Sequence, residues 1–103
     1  MRLGCASGLY VLKDGHAVEA ELLAWGAWMQ DPANRRVARD RVGDVLVSTV
    51  FLGVDHCFDG DGPPALWETA VRGGPLDGED ERYTSHDDAL AGHAAMLARV
   101  RIG

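Results

Sequence analysis

A chain of 103 residues sits near the commonest single-domain size, so one globular unit over 1–103 is expected and two independent cores are excluded by the surface each would leave wet. Hydrophobic residues at 47% and charged residues at 25% are globular proportions, which excludes wholesale disorder. A formal charge of −6 opposes attraction to a phosphate backbone, so nucleic acid is not an expected partner.

Leu9 to Leu12 is a short apolar run stopped by Lys13-Asp14-Gly15, and Asp-Gly is a strong turn signal, so a first short strand is predicted there. The N-terminus lacks a sustained apolar segment before Lys13, which does not read as a secretory signal and points to the cytoplasm. From Val18 the apolar residues recur at Leu22, Trp25 and Met29, a spacing that predicts a helix over 18–31 ending before Pro32. Its stripe places Trp25 in the core and leaves Trp28 half covered.

Lys13 is the single lysine, so the cations are almost all arginine, and Arg35, Arg36, Arg39 and Arg41 cluster. A local anion site survives the global charge. The competing reading is a solvated strand face whose arginines pair with the many carboxylates. Arg36 to Val42 alternates Val37, Arg39 and Arg41 with Ala38, Asp40 and Val42, which predicts a strand, and Gly43-Asp44 predicts a hairpin turn.

Val45 to Val54 is β-branched and apolar on both alternating faces, the pattern of a central strand, taken here over 45–55. It is about half the length that a membrane span needs. The glycines and prolines of Cys57 to Pro64 interrupt it, a further strand is predicted over 65–72, and Arg82 to Thr84 forms a brief extended piece. Ser85-His86-Asp87-Asp88 carries a capping serine and two first-turn carboxylates, so a second helix is predicted over 86–100 with the stripe Ala89, His93, Met96, Leu97 and Val100. The fold class is α+β: a small antiparallel sheet of about four strands packed with two helices, both able to cover one face. Phe51, Leu52, Trp67 and Val71 should share its core with Trp25, Met96 and Leu97.

No motif announces a cofactor or a metal. Cys5 and Cys57 lack paired spacing and read as free thiols. Asp59-Gly60-Asp61-Gly62 resembles part of a calcium loop but is followed by prolines and a strand, and Gly73-Gly74-Pro75 does not open a helix as a phosphate loop would. Ser48, Thr49 and His56 form no triad by spacing; the hydroxyls read as buried partners of backbone groups. The constellation with chemical interest arises if the central hairpin registers about the midpoint of its loop. Asp55 then lies opposite Glu68, His56 opposite Trp67 and Thr69 opposite Val54, and two facing carboxylates would need a proton, a cation or an arginine between them. A register slip of one residue would separate them. His93, on the second helix, can reach this region.

The strings Val47-Ser-Thr-Val-Phe-Leu-Gly-Val-Asp-His56, Pro63-Pro-Ala-Leu-Trp-Glu-Thr69, Glu81-Arg-Tyr83 and Ala91-Gly-His93 resemble a family of small uncharacterised proteins encoded by bacteriophages and prophages. The resemblance covers roughly the C-terminal two thirds of the chain. It implies a phage accessory setting in the host cytoplasm, carries no activity, and marks Asp55, His56, Glu68, Thr69, Arg82, Tyr83, Gly92 and His93 as the positions to watch. The chain departs from the family's pattern at Ala70, Val71 and Arg72, where a more apolar run is usual, and at Val54, where leucine is common.

The leading expectation is therefore a non-enzymatic domain that blocks a host protein, such as a defence component, or sequesters a small anionic ligand. Asp55, His56, Glu68, Thr69, Arg82, Tyr83 and His93 are its candidate binding residues, and a homodimer is compatible with it. An acidic surface can itself mimic nucleic acid toward a basic host protein. A small metal-dependent or acid/base hydrolase built on Asp55, His56, Glu68 and His93 is the alternative from a different class. A virion-associated structural piece is the third.

Overall fold

The computed structural model describes residues 8–54 and 64–102; Cys5, Asp55, His56, Cys57 and the Asp59-to-Gly62 turn lie outside the described residues. Asp14 and Gly15 adopt φ of 53° and 81°, the two left-handed positions of a type I′ turn, which folds β1 (Tyr10–Lys13) onto β2 (His16–Glu19). The Asp-Gly signal thus makes a hairpin and not merely a stop. Val18 consequently belongs to β2 opposite Val11, and the helix predicted over 18–31 shrinks to α1 (Leu22–Met29). Asp31 then accepts a hydrogen bond from the Ala33 amide and starts a separate turn, α2 (Pro32–Arg35), with proline at its first position.

The main sheet is an antiparallel meander of β3 (Arg36–Val42), β4 (Val45–Phe51), β5 (Trp67–Arg72) and β6 (Asp80–Tyr83), in that order. One helix, α3 (His86–Ile102), lies across all four strands. Ser85 caps it by accepting from the Asp88 amide at 3.1 Å, and Arg99 and Arg101 occupy the last turn, as the helix dipole favours. The architecture is α+β, with two small sheets and three helices among the described residues. No helix among the described residues is long and apolar enough to cross a membrane.

The central hairpin does not register about its loop. Thr49 pairs with Thr69, Val50 with Glu68 and Phe51 with Trp67, so Glu68 faces Val50 and not Asp55. The cause is local: β4 ends at Phe51, Gly53 takes a φ of 75°, and Val54 bridges to Leu9 of the other sheet. That turn is tight, because a Cβ on Gly53 would stand 3.0 Å from the Met29 sulfur and 3.2 Å from the Trp25 indole nitrogen.

Alternation along β4 sends Val47, Thr49 and Phe51 beneath α3 and Leu46, Ser48 and Val50 to the other side. Val47 and Val71 pack with Met96 and Leu97 at one end of the helix; Phe51, Leu66 and Trp67 pack with Ala89 at the other. The expected core positions Phe51, Trp67, Val71, Met96 and Leu97 are buried, while Leu52 and Trp25 are only half-buried. Trp25 instead donates its indole N–H to the Gly53 carbonyl at 2.9 Å, and Trp28 meets the Phe51 ring edge-on at 5.8 Å. Helix α1 thus closes the Phe51 end through its tryptophans and leaves Leu22 and Leu23 exposed, while α3 covers the four strands.

Candidate binding face

The sheet divides the candidate residues between its two sides. Thr69 and Tyr83 lie beneath α3 and His93 points down from it, whereas Glu68 and Arg82 lie on the opposite face, joined by an ion pair of 3.1 Å. Asp55 and His56 lie outside the described residues. Glu68 and His93 are separated by the sheet itself, so no single centre can use both.

Beneath the helix runs a polar chain. The Thr49 and Thr69 hydroxyls meet at 2.5 Å, Thr49 Oγ1 lies 2.7 Å from His93 Nδ1, and His93 Nε2 lies 2.8 Å from Asp40 Oδ2. A carboxylate only accepts, so Nε2 carries a proton and donates to Asp40. In the neutral imidazole Nδ1 then accepts from Thr49, which accepts in turn from Thr69. The order Asp–His–Thr has the connectivity of a nucleophilic triad. Thr49 and Thr69 are nevertheless 0% exposed, so no substrate reaches the hydroxyl, and the chain serves to fasten α3 to β3, β4 and β5. The Thr49 hydroxyl is indeed buried and satisfied, but by side chains and not by the backbone groups expected. Asp40 was missed because its partner lies 53 residues away in sequence. Replacing His93 with Leu should cost about 1–3 kcal/mol by leaving the buried Thr49–Thr69 pair with one hydroxyl proton that has no acceptor. Asp40→Asn, at a half-exposed site, should stay within about 1 kcal/mol in urea denaturation.

Tyr83 closes the far end of this layer. Burial raises its hydroxyl above the ordinary value of 10.0, opposed by the nearby Thr69 hydroxyl and reinforced by the Glu81 carboxylate, to which it donates at 3.3 Å. The ring fits because residue 92 of α3 is glycine: a Cβ there would collide with its Cζ, Cε1 and hydroxyl oxygen.

The other sheet face has a different chemistry. Leu46, Ser48 and Val50 of β4 and Ala70 of β5 form a half-buried strip within a shallow groove of about 240 Å³. Arg39 and Arg72 line that groove from either side, Arg41 stands beside Leu46, Arg36 beside Val50 and Arg82 beside Glu68. Half of the chain's ten cationic side chains are therefore gathered on one face of an acidic protein. Glu68 is engaged by Arg82, and Asp80 stands at the β6 margin; among the described residues Arg39, Arg41 and Arg72 have no carboxylate partner. The arginine cluster seen in the sequence supplies one flank of this face; Arg72 and Arg82 complete it through register, which periodicity alone does not reveal.

A second concavity, about 530 Å³, opens between the β1–β2 turn and the start of α3, with Leu66 and Trp67 among its lining residues. Its polar groups are mixed: His16 and His86 accompany Asp14 and Asp87, so charge selects no ligand class there. No group of three or more His, Cys, Asp or Glu among the described residues is placed to hold a metal ion. No family model matches the chain, and no curated protein or solved structure matches it.

Proposed function

We propose that the chain is a non-enzymatic binding domain that captures an anionic partner on the helix-free face of its main sheet, in the phage accessory setting that its sequence strings resemble. The observation that carries this reading is the row of β3 arginines on one flank of the Leu46–Ser48–Val50 strip and Arg72 on the other, set against a net charge of −6. Gathering cations on one face while the remainder of the chain is acidic orients an encounter, attracting an anionic surface to that side and repelling it elsewhere. Arginine suits the task better than lysine because its planar fork meets carboxylates and phosphates bidentately. Of the two expectations, blocking a host protein and sequestering a small anion, the groove's volume of about 240 Å³ favours the first, since clefts that bury a small organic ligand run to about 300–1,000 Å³.

The test is retention on immobilised polyglutamate. The parent should bind at low salt and elute as salt is raised, because exposed charge contacts are screened. Reversing Arg39, Arg41 and Arg72 together to Glu should weaken binding on the order of 30-fold, at up to ~1 kcal/mol per exposed pair. The thermal midpoint should move little, since all three are exposed. Undiminished binding by the triple variant would remove this face from consideration.

A further inference from the structure

Resting on that reading, we infer that the occupant of the face is an acidic amphipathic helix belonging to a second protein. Three features of the face select it. The first is the apolar strip, Leu46, Val50 and Ala70, which a purely anionic chain has no means to use. The second is width: β3 and β5 flank β4, so the β3 arginines and the strand carrying Arg72 stand about 10 Å apart, with the apolar strip between them. An α-helix is about 10 Å across, so one lying along β4 can set an apolar stripe on Leu46 and Val50 and extend carboxylates to Arg39 and Arg41 on one side and Arg72 on the other. The third is the position of the rings. Phe51, Trp67 and Tyr83 share the register row that lies beneath α3, so the sheet's aromatic residues are turned away from this face. Single-stranded nucleic acid is held largely by stacking on aromatic platforms, and this surface presents none from those rows.

A second copy of the chain fits less well. A two-fold dimer through this face would crowd two sets of Arg36, Arg39, Arg41 and Arg72 into one interface with, among the described residues, only Glu68 and Asp80 of each copy beside them, and like charges across an interface are strongly unfavourable.

The experiment is fluorescence anisotropy of the full chain with three labelled probes of equal charge: a helical peptide with a leucine stripe flanked by glutamates, polyglutamate, and oligothymidylate. The peptide should bind about tenfold tighter than polyglutamate, by the worth of burying one or two aliphatic side chains. Val50→Ser and, separately, Leu46→Ser should each weaken the peptide several-fold and leave polyglutamate unchanged, with circular dichroism melts confirming that each variant is folded. Arg39→Glu should weaken both acidic probes. If peptide and polyglutamate bind alike and both serine variants are silent, the face is a plain anion surface: the function proposed above stands and the helix is overturned. Tightest binding of oligothymidylate overturns it in favour of nucleic acid, and salt-sensitive self-association in sedimentation overturns it in favour of a second copy. Binding of none of the three removes both readings together.

Discussion

Replacing Trp67 with Ala is expected to cost about 3–5 kcal/mol, the range for truncating a buried large aromatic. Trp67 is 3% exposed and sits where three packing directions meet: the Phe51 ring at 5.2 Å, the His86 ring at 6.5 Å and the first turn of α3 through Ala89. Its indole N–H is buried and has no hydrogen-bond partner among the described residues. The residue therefore acts through its bulk, and an unmet donor subtracts from what that bulk contributes. Trp67→Phe should follow a different course, giving up volume while removing the stranded donor, for a net loss below about 1.5 kcal/mol. Urea denaturation of the two variants measures the contrast. Equal, large losses would mean that the N–H has a partner, and equal, small ones would mean that the strand lies elsewhere.

The contrast between the faces of β4 explains how much of the fold can be read from its residues. Val45 to Phe51 announces a central strand because nothing in it is charged, and the boundaries of β3 are set by Arg36 to Val42 alternating up to a glycine turn. The stripe of α3 is legible for the same reason: Ala89, His93, Met96 and Leu97 recur at helical spacing and all are buried. The first third is harder. Val18, Leu22, Trp25 and Met29 have helical spacing by accident of composition, while the true organisation comes from a two-residue turn that places Val18 in a strand and leaves Leu22 66% exposed. Periodicity over so short a window cannot distinguish a helix from a hairpin followed by a shorter helix.

The residues of the arginine-lined face were only partly legible: the sequence offered the Arg35–Arg41 cluster as an anion site but did not join Leu46, Val50 and Arg72 to it. Glu68, Thr69, Arg82, Tyr83 and His93 all take part in specific contacts, but a strand alternates, so neighbours 68 and 69 go to opposite faces. The expected pairing of Asp55 with Glu68 assumed an undistorted hairpin; the left-handed turn at Gly53 shifts the register and sends Val54 to another sheet. Along β5 the same alternation puts Ala70 and Arg72 on the arginine-lined face and Val71 in the core.

Gly92→Ala should change sign with its partner. In the parent, a Cβ at residue 92 would collide with the Tyr83 ring, so alanine must either evict the ring from α3 or lift the helix from β6. Overpacking of this kind costs about 1–3 kcal/mol. Working against it is helix propensity, since alanine in a helix interior gains about 1 kcal/mol over glycine. The clash outweighs that gain while Tyr83 is present, because the ring also covers Phe51, Trp67 and Ala89 and cannot swing away without uncovering them. Once Tyr83 is itself replaced by Ala, the obstruction is gone and only the propensity gain remains. Gly92→Ala should then be destabilising by up to about 2 kcal/mol in the parent and stabilising by up to about 1 kcal/mol in the Tyr83→Ala background, a coupling of the size seen for residues in direct contact. A four-member cycle of urea denaturation curves measures it. Additive effects would show that Tyr83 does not rest on residue 92, and the packing of β6 against α3 would have to be redrawn.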